Sequence, residues 1–265
     1  MQLIFPVLPD NLPEKDINNA FSPEVDDVRG MQFSGQNLQK VDLRGCDVDQ
    51  CRFSNCRFIQ CRMENFRFGD VVFESCDLSN LQLPDCSFHR VAFRNCKLSG
   101  AVFSSSMFRD TAFQHVVAPY TNFLGSNWKN CLWRSCDFTE AFFAESIFAS
   151  LVLEESRLIR ADFSRSKLGC VDYRSCDIRG IHWELSQLKG SIVLMNRRWN
   201  LWKRPGLWSN KNALCYAGMP MTVLHTSRKT ADFFRFLLQC APKNDEPNRY
   251  LRRTADEFYR IWCPA

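Results

Sequence analysis

Residues 76–100 read CDLSN LQLPD CSFHR VAFRN CKLSG, a stretch in which every fifth residue is large and apolar: Leu78, Leu83, Phe88, Phe93 and Leu98. The same spacing extends from Val28 to Val193, and within this range only Ala118 departs from it. A period of five fits neither the roughly 3.6 residues of a helical turn nor the roughly 2 of a strand. It fits a coil of square cross-section in which each side is one five-residue unit.

A second restricted position lies two residues before each of these apolar residues. In most repeats it is filled by Cys, Ser, Ala, Val or Thr, and it holds ten of the fourteen cysteines. These ten are Cys46, Cys51, Cys56, Cys61, Cys76, Cys86, Cys96, Cys131, Cys136 and Cys176. The other three positions of each unit are mainly polar residues or Gly.

Units such as CDLSN (76–80), CKLSG (96–100), CDFTE (136–140), ADFSR (161–165) and CDIRG (176–180) resemble the pentapeptide-repeat family, whose units read A(D/N)LXX. The resemblance implies an all-β solenoid, a right-handed quadrilateral β-helix with four units per turn. It also implies that the central apolar residue and the small residue before it both point inward. To this solenoid the sequence adds a small C-terminal helical segment.

The implied geometry predicts that residues twenty apart stack in adjacent coils. One small-position column then reads Ser106, Ser126, Ser146, Ser166 and Ser186. The position before the central residue gives columns of alternating charge, in which Arg57 precedes Asp77 and Lys97, Asp47 lies below Arg67, and Asp42 lies below Arg62. Opposite charges at strand spacing favour pairing between coils.

Period and charge divide the chain into three segments. Residues 1–23 are aperiodic and contain Pro, and we expect them to cap the first coil. Residues 24–195 form the β-helix, and residues 196–265 form a basic cap and a helical hairpin. The net charges of these segments are −2, −1 and +8, which give the +5 of the whole chain. Any argument about anionic partners therefore concerns the tail.

Two details of the segments carry further predictions. The period keeps its phase through Ala118 and Pro119, which predicts a local distortion without an inserted loop. Helical spacing over 230–238 and 248–262 predicts the hairpin, and such short helices need the end of the rod or a second molecule to pack against. A homodimer through the C-terminal helices is one arrangement that satisfies this need.

The cysteines and histidines do not indicate catalysis or a metal site. The cysteine spacing is five, whereas zinc sites use C-x2-C. The histidines, His89, His115, His182 and His225, fall on different faces or segments. We therefore expect buried, reduced packing thiols, no cofactor, no bound metal and no enzymatic activity. Cys263, near the terminus and beside a basic helix, is the one cysteine worth testing for reactivity.

Several outward positions of the repeat are apolar. They are Val102, Met107, Leu132, Phe142, Ile147 and Val152, joined by Leu124. An exposed apolar patch on a rod indicates a covered surface. Either the C-terminal hairpin folds back on it or a second protein binds there. The alternative is that some of these side chains are half buried at corners.

Two basic clusters are candidates for an anionic partner. Arg52, Arg57, Arg62 and Arg67 fall on four different faces of one coil, and three of them have acidic column neighbours, which favours salt bridges over a nucleic-acid band. In the tail, Arg197, Arg198, Lys203 and Arg204 alternate with Trp, which is the better pattern for phosphates or an acidic partner. A solvated cap is the more frequent reading of such a cluster, so nucleic-acid binding is only weakly supported.

These observations predict a non-enzymatic protein–protein interaction module. Through the resemblance, one alternative is protection of DNA gyrase or topoisomerase IV by DNA mimicry, as in quinolone-resistance proteins, and a second is a secreted bacterial effector. A DNA mimic should be acidic, however, and this repeat region is nearly neutral.

No run of apolar residues approaches the length of a membrane span, and the first twenty residues lack the features of a cleaved signal. We therefore expect a bacterial cytoplasmic protein, or one secreted into a host cell if it is an effector.

Overall fold

The computed structural model describes residues 3–184 together with Gln187 and Ser191. This part of the chain is a parallel β-solenoid of about 7 turns, as predicted. The chain divides into two compact units, residues 1–189 and 190–265. The predicted helical hairpin, the tail cluster and Cys263 lie outside the described residues, and the predicted segment boundaries stay predictions.

One short helix and seventeen short strands make up the described elements. In chain order they are α1 (Ile17–Ala20), β1 (Asp27–Arg29), β2 (Gln32–Ser34), β3 (Asn37–Gln39), β4 (Asp42–Arg44), β5 (Asp47–Asp49), β6 (Arg52–Ser54), β7 (Arg57–Ile59), β8 (Arg62–Glu64), β9 (Arg67–Glu74), β10 (Ser87–Arg94), β11 (Met107–Arg109), β12 (Ala112–Gln114), β13 (Asn127–Lys129), β14 (Cys131–Arg134), β15 (Ile147–Phe148), β16 (Leu151–Glu154) and β17 (Lys167–Leu168). We refer to each twenty-residue turn as a coil.

Each coil has four faces, which we number from the positions of the central residues. Face 1 contains Phe88, face 2 Phe93, face 3 Leu98 and face 4 Phe103, together with the residues at steps of twenty from each. Strands β9 and β10 turn the corner between faces 1 and 2, and this joins both faces into one thirteen-stranded sheet. Faces 3 and 4 begin as the pairs β3–β7 and β4–β8 and continue as single bridges from coil to coil.

The register between coils is twenty residues everywhere that strands pair. Phe88 lies opposite Phe68 on one side and Phe108 on the other, and all of these ladders are parallel. The predicted serine column is present: Ser106, Ser126, Ser146 and Ser166 are buried, and the hydroxyl oxygens of Ser126 and Ser146 lie 3.1 Å apart. The stacking predicted from the sequence is confirmed for these residues, whereas Ser186 lies outside the described part of the chain.

Aromatic side chains stack along the interior. On face 2 the ring centroids of Phe33, Phe53, Phe73, Phe93 and Phe113 follow one another at 4.9, 4.8, 5.0 and 4.8 Å. This spacing is the coil repeat itself, because parallel strands lie about 4.8 Å apart. The rings bury large apolar areas in contact with one another, which makes them the main source of core stability.

The chain passes Ala118 and Pro119 without distortion, so that prediction is wrong, although its second part, the absence of an inserted loop, is confirmed. The Ala118 N–H donates to the Asp137 carbonyl at 2.8 Å, and the Pro119 carbonyl accepts from the Gly100 N–H at 3.0 Å. The residue after the central one needs no ladder donor: in another unit the Ser79 N–H bonds the Asp77 side chain instead. Proline, which lacks an N–H, therefore fits this position at no cost in hydrogen bonds.

The N-terminal segment meets the first coil from below. Glu14 bridges to Gln32 in parallel, and Asp16 caps α1 by accepting from the Asn18 and Asn19 N–H groups. Ile17 and Phe21 are buried, and the Phe21 ring lies 6.1 Å from that of Phe33. These residues cover the open end of the apolar interior. Within the described residues no helix has the length and apolarity needed to cross a membrane.

Candidate partner-binding surface

The small inward side chains of the solenoid are packed in its interior. Nine of the ten small-position cysteines are buried, and Cys176 is half buried. The Cys131 thiol donates to the carbonyls of Phe108 and Lys129, each at 3.5 Å, and burial raises its pKa to about 12. A thiol with such a pKa stays protonated at neutral pH and is a poor nucleophile and metal ligand. The expected buried packing thiols are confirmed for these nine residues.

The described residues contain no cluster of three or more His, Cys, Asp or Glu side chains able to hold a metal ion. Cys170, the one described cysteine outside the small column, is exposed. His89, His115 and His182 lie in different coils and at different positions of the square, and His225 lies outside the described residues. The three described histidines therefore do not converge on one site.

Charged outward residues couple one coil to the next. These ion pairs join residues twenty apart: Arg29–Asp49 at 3.2 Å, Arg44–Glu64 at 3.3 Å, Asp47–Arg67 at 3.4 Å, Asp70–Arg90 at 2.5 Å, Arg134–Glu154 at 2.5 Å, Asp137–Arg157 at 3.8 Å, Glu145–Arg165 at 2.8 Å, and also Glu140–Arg160. The predicted column pairing is therefore right for Arg67, but Arg62 bonds Glu64 of its own unit at 2.9 Å and not Asp42.

The predicted apolar patch divides between exposed and covered residues. Met107, Leu124, Phe142 and Ile147 are 41–57% exposed, while Val102 and Val152 are half buried. Leu132 is only 7% exposed, so its expected exposure is wrong.

The seven residues of that patch also lie on different faces. Val102, Leu124 and Phe142 lie on face 4, Met107 and Ile147 on face 1, and Leu132 and Val152 on face 2. Faces 4 and 1 meet at a corner, so the first five residues flank one edge of the solenoid. We call these five residues the edge patch. Sequence reasoning placed them at the right repeat position but did not separate them by face.

Sequence reasoning missed other exposed apolar side chains. Ile59, Val117 and Tyr120 are exposed on face 3 and its corners, and Ile4, Phe5 and Val7 are exposed in the N-terminal segment. Val117 occupies the same repeat position as Phe142, so its outward direction could be read from the sequence. Val117 was overlooked because its column neighbours, Lys97 and Asp137, are charged.

Face 2 carries a column of outward residues that are nevertheless buried. Val72, Ala92, Ala112 and Leu132 point away from the interior, yet each is 0–7% exposed. No other face has a run of apolar residues at this position, because faces 1, 3 and 4 interleave charged and polar residues with apolar ones. We call these four residues the face 2 column.

A polar ladder follows the corner beside this column. The Arg90 guanidinium donates to both carboxylate oxygens of Asp70, at 2.7 and 2.5 Å, and the Asn130 amide donates to Asp110 at 3.3 Å. Asp70 also accepts the backbone N–H of Val7 at 3.0 Å. Burial opposes the ionised form of Asp70, but the hydrogen bonds from Arg90 and Val7 outweigh it and lower the pKa of that carboxyl. Asp70 is therefore a buried carboxylate that holds a peptide amide of the N-terminal segment.

The second predicted site, formed by Arg197, Arg198, Lys203 and Arg204, lies outside the described residues, and its role stays a prediction.

Two family models match the repeat region of the chain. A family model described as "Pentapeptide repeat region" matches residues 66–132 and 126–196, and one described as "Pentapeptide repeats (8 copies)" matches residues 27–55. None of the curated proteins matches the chain.

Two similar solved structures are QnrB1 and HetL. Full-length QnrB1, a plasmid-mediated fluoroquinolone resistance protein, is 16% identical, with a TM-score of 0.35; the match covers 60% of this chain and 93% of QnrB1. HetL, a pentapeptide repeat protein involved in heterocyst differentiation regulation from the cyanobacterium Nostoc, is 13% identical, with a TM-score of 0.31; the match covers 63% of this chain and 89% of HetL.

Proposed function

Because the chain belongs to the pentapeptide-repeat family, we propose that it is a non-enzymatic interaction module, a rigid β-helical rod that presents a shaped surface to a partner protein. The interior supports this proposal, since every described small-position thiol or hydroxyl is used for packing or for bonding the backbone. What remains for function is the outer surface.

The edge patch is the observation that carries the proposal. Phe142 is 48% exposed and is flanked in its column by Asn122 and Asp162, so a large ring stands out between two polar side chains. Met107 and Ile147 stand out in the same way on face 1, on either side of Asn127. Aromatic and methionine side chains surrounded by polar groups are the usual composition of protein-binding sites.

The test is capture of partner proteins from a bacterial lysate with the full chain and two matched variants. Phe142→Asp places a charge in the edge patch, and we expect it to reduce recovery of the partner about tenfold or more, as loss of a central interface residue does. Ile59→Asp makes the same kind of change at an exposed apolar residue far from the patch, and we expect recovery to be unchanged. Equal recovery by the wild type and by Phe142→Asp would refute the site.

The same experiment includes a chain ending at Met195, which separates the rod from the tail. A partner recovered by both chains binds the rod, and one recovered only by the full chain requires residues 196–265. A partner of the latter kind whose binding weakens with salt and on charge reversal at Arg197, Arg198, Lys203 and Arg204 would assign recognition to the basic cluster.

The capture experiment also tests the alternative function, protection of a type II topoisomerase. The surface does not favour DNA mimicry, because many of its carboxylates are paired with arginines of the next coil and are not left free. Recovery of gyrase subunits, followed by restored supercoiling in the presence of a quinolone, would assign that role. Recovery of a host protein and of no bacterial one would assign the effector role.

A further inference from the structure

The face 2 column and the corner ladder beside it form a strip with two properties of a peptide-binding surface. One side offers small and apolar side chains, with Ala92 and Ala112 leaving room for close approach. The other side offers side-chain acceptors for backbone amides, and one of them, Asp70, already holds the Val7 N–H at 3.0 Å. An extended peptide is recognised in this way by contacts to its backbone and to alternate side chains.

The N-terminal segment has the composition and exposure pattern of an occupant. Residues 3–13 read LIFPVLPDNLP, and the three prolines favour an extended backbone. Leu3, Pro6, Leu8 and Leu12 are half buried, whereas Ile4, Phe5 and Val7 are exposed. One side of the segment therefore faces protein and the other faces solvent.

The reach of the segment matches the length of the strip. Pro13 is tied to Gln32 in the first coil at 3.0 Å, and Val7 is tied to Asp70 in the third coil. Two coils span about 10 Å, which six extended residues cover easily. Continuing in the same direction, residues 3–6 extend by about 13 Å, enough to pass Ala92 and Ala112 in the fourth and fifth coils. Leu132, in the sixth coil, lies beyond this reach.

We propose that this strip is a peptide-docking surface and that its occupant is the chain's own N-terminal segment, residues 3–12, which lies along the solenoid axis as a strap over Val72, Ala92 and Ala112. The strap explains why the outward side chains of Val72, Ala92 and Ala112 are buried. It also explains why Asp70 is buried as an ionised group, since a peptide amide completes its hydrogen bonds. This inference goes beyond the proposed function, and it holds or fails whichever partner the rod binds.

Hydrogen exchange of the full chain, followed by mass spectrometry, tests the strap. We expect the Val7 amide, whose N–H Asp70 accepts, to exchange about tenfold or more slowly than in a free synthetic peptide of the same sequence. Ala92→Arg places a long charged side chain in the strip and should return this amide to the free-peptide rate. Val117→Arg makes the same change at the same repeat position on face 3 and should leave its protection intact.

A second pair of variants changes a residue of the strap and leaves the sequence of the solenoid unchanged. Val7→Pro removes the N–H that Asp70 accepts, whereas Val7→Ala keeps it and removes only exposed side-chain atoms. We expect Val7→Pro to speed cleavage of the strap by a nonspecific protease about tenfold or more, because it removes one hydrogen bond to a charged group, and Val7→Ala to leave the cleavage rate unchanged. Free-peptide exchange in the wild type would overturn the proposal. If the wild type is then also a dimer in sedimentation, a second copy covers the strip.

Discussion

The small inward residue of each repeat does more than fill space. Ser146 donates its hydroxyl to the Phe123 carbonyl at 2.9 Å, Thr111 to Phe88 at 3.3 Å, and Cys86 donates its thiol to Met63 at 3.3 Å. In each case the acceptor lies twenty-three residues earlier, in the coil below. Cys, Ser and Thr therefore substitute for one another because each is small and each carries a donor.

Two buried tryptophans, whose rings meet edge to face, differ in one hydrogen bond and should differ in the free energy that their replacement costs. The Trp128 indole N–H donates to the Ser126 hydroxyl at 2.7 Å, whereas the buried Trp133 N–H has no acceptor among the described residues. We expect Trp128→Phe to lower the free energy of unfolding by about 1–2 kcal/mol more than Trp133→Phe does, because the second change also removes an unsatisfied donor. Urea unfolding of both variants measures this difference, and equal losses would contradict it.

The buried thiols make the protein sensitive to alkali. Burial raises the pKa of Cys86, Cys131 and Cys136 to about 12, while a thiol in the unfolded chain ionises near about 8.5. Below that value both states are protonated and stability does not depend on these groups. Above it the unfolded state binds fewer protons than the folded state, so the free energy of unfolding falls as pH rises towards 12.

Cys131→Ala measures the effect of one thiol, since Ala already fills this position in other repeats, as at Ala141. Between about pH 9 and 11 the loss of stability with pH should be shallower in the variant by about 1.4 kcal/mol per pH unit, the value for one proton. Urea unfolding at several pH values gives the two slopes. Parallel slopes would show that the thiol ionises equally in both states.

At the scale of the element, a unit is a short strand or a single bridge, and most units end at a corner in the left-handed region. Within the described residues six corner glycines have φ between 63° and 74°, but 22 corner residues with positive φ are not glycine. Many are Asn, Asp or Ser, which tolerate this region better than most residues. The corner is therefore a conformational requirement of the fold that the sequence meets mostly without glycine.

Gln60 is an exposed corner residue with φ of 53°. Because its side chain is exposed, substitutions there change the strain of the left-handed backbone with little effect on packing. We expect Gln60→Gly to raise the free energy of unfolding by about 0.5–1 kcal/mol and Gln60→Val to lower it by about 1–2 kcal/mol, because a β-branched side chain clashes in the left-handed region. Thermal unfolding of the two variants gives the signs. A stabilising Val would mean that the corner relaxes out of that region.

The sequence predicted the elements well because the period of five is read directly from side-chain type. Together with the geometry that the pentapeptide-repeat resemblance implies, this period placed the inward residues, the register of twenty and the absence of a loop at Pro119. It failed at Leu132, since a period shows which residues point outward but not what covers them. It also failed at the Arg62 partner, because Glu64 competes with Asp42 for the same guanidinium and only side-chain positions decide between them.

At the scale of the whole described solenoid, coils contact their neighbours only, so stability depends on an unbroken stack and on protected ends. Phe21 closes the lower end, where its ring meets those of Phe33, Phe53 and Phe66 at 6.1–6.4 Å. An uncovered end would offer unpaired strand edges to other chains. The short N-terminal helix therefore protects the whole stack and not only its own residues.

Phe21→Ala should destabilise the first coils selectively. We expect amides of β2 and β6 to exchange at least about tenfold faster, while those of β11, three coils away, keep their protection, because opening begins at the weakened end. Phe5→Ala removes an exposed ring from the same segment and should leave β2 and β6 unchanged. Uniform loss of protection along the stack would show instead that the solenoid unfolds as one unit.

The twenty-residue register also determines which changes of length the repeat region tolerates. Insertion or deletion of one residue turns every later inward side chain outward, whereas a change of five keeps the interior filled. A change of five nevertheless rotates all later surfaces by a quarter turn about the axis, which separates the edge patch residues and mismatches columns such as Arg134–Glu154. Duplication of a whole coil preserves the filled interior and the alignment of the outer surfaces. Such a rod therefore lengthens in steps of about 4.8 Å while its faces stay continuous.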